Sequence, residues 1–310
     1  MVGKSKIDRT PQAQAAAMMK WLLCPLVGTG MLLMPAAAFG QQAACDRADL
    51  EGIVNGYIAA QTAGDPSKLP LADFTQYYEQ MDMASMFGGT LSKPQKIDFH
   101  RSFYDLQSCT TFTEVIVTDP AHPYVIGARL QFSGRNNPIA LSRVNEIELV
   151  VTDKDDWLFN ARKTLAYSKA ENWSEIPPAE RDSRATIIAA ADAYLDSFAN
   201  KDIQVPWGTP CARLEGGLYT AKGAPGVASS EDNCNIGVPA NVKLADRRYV
   251  VDETIGAVAV LLAFGDNKLP DVHSFRVEKG KIRYIHTITV CQSENCGLQL
   301  PNEIKQRLQD

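Results

Sequence analysis

The sequence has no cluster of lysine and arginine, no apolar run long enough to span a bilayer comfortably, and only four histidines in 310 residues. It contains no Gly-x-Ser-x-Gly elbow, no P-loop, no His-Glu-x-x-His and no dinucleotide-binding glycine pattern. These absences remove the familiar serine-hydrolase, nucleotide-binding and zinc-protease readings, and no cofactor is implied. No Cys-x-x-Cys spacing occurs and no histidine stands beside a cysteine, so no metal site is expected. A formal charge of −5 with no basic stripe argues against nucleic acid and anionic membrane as partners.

What is present begins with a targeting pattern. Trp21 to Met34 is a short apolar run preceded by Lys20, and Pro35-Ala-Ala-Ala-Phe-Gly40 supplies the small residues of a cleavage site. This is the order of a secretory signal peptide. Residues 1–17 read as an upstream extension, with Met18 or Met19 as an alternative start. Gln42-Ala-Ala-Cys45 lacks the aliphatic residue of a lipoprotein box. The reading is therefore export to a periplasmic or extracellular location, with no membrane association after cleavage. Residues 1–40 hold four cations against one anion, so the remainder carries −8.

Of seven cysteines, Cys24 lies in the signal, and an even six in an exported chain favour disulfides over metal thiolates. Among fifteen possible pairings we expect Cys45–Cys109, Cys211–Cys234 and Cys291–Cys296.

The chain also reads as one unit written twice. Tyr57 and Pro70, in a helix-then-loop segment, are answered by Tyr194 and Pro206; Ile126-Gly127-Ala128 is answered by Ile255-Gly256-Ala257. So long a period means two tandem domains rather than a solenoid. The expected organisation is residues 1–40 extension and signal, 45–170 first domain, 171–184 a Pro-rich charged linker, and 185–300 second domain carrying the site. Helices are expected after Asp46, over Ala72–Met86 and over Arg184–Phe198. Strands are expected over Phe112–Thr118, Tyr124–Phe132, Val144–Thr152, Trp157–Ala166, Arg248–Phe264, Val272–Glu278 and Ile282–Cys291. Residues 203–242 read as a long loop, and His100 as a helix residue. Asn172-Trp-Ser174 matches a glycosylation sequon.

Helices followed by strands of growing length, closing on Phe275-Arg-Val-Glu-Lys-Gly-Lys-Ile282, resemble the nuclear transport factor 2-like (SnoaL-like) superfamily. More closely, Pro206-Trp-Gly-Thr-Pro-Cys-Ala-Arg-Leu-Glu-Gly-Gly217, Arg248-Tyr-Val-Val-Asp-Glu-Thr-Ile-Gly256 and His273-Ser-Phe-Arg-Val-Glu278 resemble secreted fungal and bacterial proteins of uncharacterised function built from two such units. The resemblance covers residues 45–297. It implies an α+β fold of two tandem cone-shaped barrels, each with helices packed on a curved antiparallel sheet. It leaves the activity open, because this fold hosts lyases, isomerases, hydrolases and binders.

Strand alternation nominates residues for chemistry. His273 shares a face with Phe275 and Val277, and His286 with Ile282, Tyr284 and Ile288, so both point the way apolar residues point. Such a histidine is either a satisfied core residue or a proton carrier in a cavity. Asp252 and Glu253 interrupt an apolar strand, so at least one points inward. It is either a general acid or base, or an ion-pair partner of Arg247 or Arg248. Arg213, Glu215 and Trp207 fall beside Cys211, where a tethered loop could cover a barrel mouth; alternatively Arg213 and Glu215 pair with each other. Tyr249 joins Arg213 as a candidate for stabilising oxyanion charge. The first half offers no obvious acid matching Asp252.

The functional expectation is a cofactor-independent lyase, dehydratase or isomerase acting on a small oxygenated organic molecule. His273 or His286 would carry the proton, with Asp252 or Glu253 assisting. The alternative is a non-catalytic module that holds a small-molecule ligand or an interaction partner in the same cavity. A monomer or homodimer suits either.

Overall fold

The computed structural model describes residues 45–133, 143–222 and 229–309. The signal-peptide expectation falls on residues 1–40, outside the described residues. Two six-stranded sheets and four helices make a mixed helix-and-sheet architecture. In the first half, α1 (Arg47–Ala63) precedes β1 (Leu71–Glu79), β2 (Asp82–Met83), β3 (Phe99–Asp105), β4 (Thr110–Val117), β5 (Tyr124–Phe132) and β6 (Val144–Thr152). After α2 (Ala161–Ala170), the second half runs α3 (Arg184–Asp196), β7 (Trp207–Glu215), β8 (Leu218–Tyr219), β9 (Leu244–Asp252), β10 (Ala257–Phe264), β11 (Leu269–Glu278) and β12 (Lys281–Thr289). A short α4 (Asn302–Gln309) follows.

The strand orders are β2-β1-β6-β5-β4-β3 and β8-β7-β12-β11-β10-β9, so one half repeats the other strand for strand. In each sheet a single pair is parallel, β1 with β6 and β7 with β12. Each half opens with a capped helix. Asp46 accepts from the Asp49 amide and Ser183 from the Thr186 amide, satisfying donors that a helix start leaves bare.

Each sheet is covered on both faces, and this decides how its sequence must be read. Tyr57 of α1 packs with Ile126, Leu130 and Ile147, while Tyr194 of α3 packs with Val258, Phe275 and Ile285. The opposite faces meet each other: Phe112, Ile116 and Val150 form one cluster with Ala259, Leu261 and Val272. Strands such as β4 and β10 are therefore buried almost throughout, without the alternation of a half-solvated sheet.

A reciprocal clasp ties the halves together. Arg47, the first residue of α1, grips Asp252 at the end of β9 through Nη1 to Oδ1 (3.2 Å) and Nη2 to Oδ2 (3.1 Å). Arg184, the first residue of α3, grips Asp105 at the end of β3 with 2.8 and 2.7 Å bonds. The Tyr104 amide donates to Asp252, and the Val251 amide to Asp105.

Several expectations change. The segment expected as a helix over Ala72–Met86 forms β1 and β2, because Phe74, Thr75, Tyr77 and Tyr78 favour a pleated surface and Tyr77 pairs alongside Ile147 of β6. Trp157–Ala166 is not a strand: Asn160 caps α2 by accepting from the Lys163 amide. The stretch 203–242, expected as a loop, contains β7 and β8. His100 lies exposed on β3, a strand absent from the expectation. The 171–184 segment packs on both halves: Trp173 stacks on Phe103 at 5.5 Å, and the Ile176 amide donates to the Thr254 carbonyl.

Cys45–Cys109, Cys211–Cys234 and Cys291–Cys296 are disulfide-bonded, which fits an oxidising, exported setting. Among the described residues, no helix is long and apolar enough to cross a membrane.

Candidate functional site

The α3-facing side of the second sheet carries polar groups in register across three strands. Glu215 of β7 lies beside Thr287 of β12, and Thr287 pairs with His273 of β11. Paired residues share a face, so the three side chains form a row. One step along, Thr289 pairs with Asp271. This row floors a cavity of about 300 Å³ whose walls include Phe198, Leu218, Ile236, Phe264, Leu269 and Leu298. Trp157 enters the wall because the β7–β8 turn runs against it. Gly216 there has φ 55°, and any Cβ would sit 2.4 Å from the Trp157 carbonyl.

His273 is 2% exposed, and its ring packs near Tyr194 and Phe198. Nδ1 lies 2.5 Å from Asp271 Oδ2, and Asp271 Oδ1 accepts from Thr289 Oγ1 at 2.5 Å. Asp271 is fully buried and already holds one hydroxyl, so it accepts the imidazole proton at Nδ1. Nε2 then has no hydrogen-bond partner among the described residues.

Arg213 and Glu215 pair with each other. Arg213 Nε donates to Glu215 Oε1 at 2.7 Å, and Nη1 donates to the Gly237 carbonyl at 2.8 Å. The Trp157 indole N–H reaches Glu215 Oε2 at 3.4 Å. Burial would raise the Glu215 carboxyl, but the Arg213 guanidinium, and then His273, outweigh it and hold the group below its ordinary value. Trp207 does not line this cavity. It stands edge-on to Tyr194 and lines a neighbouring cavity of about 310 Å³, which shares Arg213 and Gly237 with the first.

The remaining candidates are elsewhere. His286 is on the opposite face from His273, because β12 carries an extra residue at Arg283: Ile282 pairs with Val277, but Tyr284 pairs with Arg276. His286 and Ile282 consequently face opposite ways. Buried between the sheets, His286 binds Glu114 Oε2 through Nδ1 at 3.0 Å and Glu171 Oε2 through Nε2 at 2.6 Å. Burial would strip its proton, yet Glu171 and then Glu114 push it up to about 9. It is an imidazolium clamped between two carboxylates, without a free nitrogen for a substrate. The adjoining cavity measures only about 10 Å³, room for about one water.

Asp252 faces inward, but its carboxylate is filled by Arg47 rather than by Arg247 or Arg248. Glu253 is half-buried and accepts from the Arg184 amide. Tyr249 donates to Asp192 Oδ1 at 2.7 Å and joins β9 to α3. None of the three lines the cavity. The first half does have a counterpart of Asp252, namely Asp105.

Asp271 and Thr287 were missed. Asp271 is two residues from His273 and so shares its face, a signal available from strand parity alone. By strand register, Arg213, Glu215, His273 and Asp271 correspond to Tyr77, Glu79, Ala128 and Ile126 in the first half, so the histidine–carboxylate pair belongs to the second half only.

A family model described as "Domain of unknown function (DUF8021)" matches residues 180–289, the span from the start of α3 to the end of β12 that holds this polar row. No curated protein matches the chain.

Proposed function

We propose that the protein is an exported, cofactor-independent acid–base enzyme of the lyase, dehydratase or isomerase type, acting on a small oxygenated organic molecule in the second-half cavity. The reading includes signal-peptide cleavage near residue 40. It also takes each half as a cone-shaped, nuclear transport factor 2-like domain. A leading helix, a single parallel strand pair and the same strand order in both halves support the domain assignment.

The observation that carries the function is His273. Its Nδ1 is tied to a buried carboxylate, its Nε2 has no hydrogen-bond partner among the described residues, and the residue lines an apolar cavity. Nε2 takes a proton from a carbon or hydroxyl of the substrate. Asp271 stabilises the resulting imidazolium and holds the ring plane, and the imidazolium returns the proton elsewhere on the molecule. Positioned general acid–base groups supply factors of about 10²–10⁴ in rate. Arg213 is already engaged by Glu215 and Gly237, so it sets the charge state of Glu215 and shapes the cavity rather than meeting an oxyanion.

The test is hydrogen–deuterium exchange at the carbons flanking the carbonyl of a tert-butyl-substituted cyclohexanone, followed by proton NMR. The wild type should accelerate exchange, His273→Gln should abolish the acceleration, and Asp271→Asn should lower it by about 10² or more. Exchange no faster than buffer, or unchanged in His273→Gln, overturns the proposal. The mainly apolar walls favour one second reading, a binding module. Its signature would be saturable binding of the ketone without exchange.

A further inference from the structure

Thr287 is 6% exposed, and its hydroxyl oxygen is buried without a hydrogen-bond partner among the described residues. Its neighbours in the row are occupied. Glu215 is held by Arg213 and Trp157, and His273 Nδ1 by Asp271. A buried hydroxyl left unpaired costs free energy, which an oxygen of a bound molecule or water can relieve. Strand alternation sets the Thr287 side chain between those of Glu215 and His273, on the face that floors the cavity. The row therefore has two hydrogen-bonding atoms without a partner among the described residues, Thr287 Oγ1 and His273 Nε2, on residues that line the cavity.

The charges beside the row restrict what can use them. Among the described residues that line the cavity the one cation, Arg213, already donates to Glu215 and to the Gly237 carbonyl. Glu215 cancels it, and Asp271 adds a further buried carboxylate. An anionic ligand would lose its water in an apolar cavity and face Asp271 with no free cation to compensate. A neutral oxygen meets neither cost.

We infer that Thr287 is the specificity-determining contact of this site: it donates to the oxygen of an uncharged ketone or alcohol with an apolar body, and the cavity rejects the corresponding carboxylic acids. This rests on the cavity being the ligand site proposed above, but not on turnover there. At about 300 Å³ the cavity is at the lower end of small-molecule sites, so one substituted ring with a single oxygen is the expected scale.

The test uses isothermal titration with tert-butyl-cyclohexanone and the matching tert-butyl-cyclohexane carboxylate, on wild type, Thr287→Val and Thr287→Ser. The ketone should bind at least about tenfold more tightly than the carboxylate. Thr287→Val should weaken it roughly three- to tenfold, the range of one neutral hydrogen bond, and Thr287→Ser should retain wild-type binding. Thermal melts confirm that both variants fold. Equal or tighter binding of the carboxylate, unchanged ketone binding in Thr287→Val, or binding of neither probe overturns the inference. Exchange on the same ketone separates the two ideas: Thr287-dependent binding without exchange sustains this inference and ends the acid–base reading. Exchange that requires His273 but is indifferent to Thr287→Val does the reverse.

Discussion

Asp105 and Asp252 are the same residue of the duplicated unit, and each is held by the arginine that opens the helix of the other half. The correspondence extends to the backbone. The amide preceding each aspartate in its strand donates to the other aspartate, and the amide two residues after each donates to its own. Such an exchange is the geometry of a two-fold interface between identical subunits, here within one chain. It gives Asp252 a structural task that its position in an apolar strand did not reveal.

Asp252→Asn should therefore destabilise the fold and leave chemistry alone. Removing one charge from this largely desolvated pair leaves Arg47 only the more exposed Glu51, at 3.3 Å, as counter-ion, at a cost of about 2–4 kcal/mol, discounted because the Arg47 side chain is 29% exposed. Urea unfolding should report the loss, while ketone exchange per folded molecule stays at the wild-type rate. A preserved midpoint with lost exchange would return Asp252 to the active site.

His286 predicts an alkaline limit to stability. Its folded-state value is raised to about 9, from an unfolded value near 6.5, by Glu171 and Glu114 acting against burial. A raised value means that the folded state holds the proton more tightly. The contribution is fully present below about pH 6.5 and is lost as pH rises through about 9. The shift corresponds to about 3 kcal/mol. Urea midpoints at pH 6, 7.5 and 9.5 (chosen to straddle about 6.5 and 9) should fall in that order, and His286→Gln should flatten the trend. A midpoint that rises toward pH 9.5 would refute the clamp.

The site was half legible, for reasons that lie in particular residues. Arg213 and Glu215 could be found because they fall beside Cys211 in a segment expected to be tethered, although that segment is β7 rather than a loop, and His273 could be found by strand alternation; all three line one cavity. His286 could not be separated from His273 by alternation. Both faces of this sheet are buried, and the extra residue at Arg283 is invisible without the pairing. Asp252 looked catalytic because its partner, Arg47, is 205 residues away in sequence. In the first half, β1 read as a helix because its hydrophobic residues do not alternate; its place beside β6 is a tertiary decision. The duplication was legible in the Tyr57–Pro70 and Tyr194–Pro206 spacing, which precedes β1 and β7 alike, but Ile126-Gly127-Ala128 and Ile255-Gly256-Ala257 do not correspond: the first lies on β5, the counterpart of β11, and the second at the turn from β9 into β10.

The Cys211–Cys234 bond joins β7 to the segment that supplies Ile236, Gly237 and Pro239 to the cavity. Replacing both cysteines by serine should cost about 3 kcal/mol of stability, the usual value for a loop of this length. It should also weaken ketone binding more than it weakens the fold, because the Gly237 carbonyl held by Arg213 forms part of the wall. Titration of the ketone at a temperature where both proteins are folded measures this. Unchanged binding would show that Arg213 alone fixes the wall.

Arg213 and Glu215 provide the sharpest energetic test, because each justifies the burial of the other. In Arg213→Met, Glu215 loses the charge that outweighs its desolvation, so burial should drive its carboxyl above the ordinary value and the protein should lose about 3–5 kcal/mol. Adding Glu215→Gln removes the stranded charge, and the double variant should recover most of that loss. The recovery distinguishes a structural ion pair from a substrate-binding arginine. If Arg213 meets the ligand directly, the double variant regains stability but binds the ketone no better than Arg213→Met. If it acts through Glu215 and Gly237 as the bond lengths indicate, binding returns in part with stability.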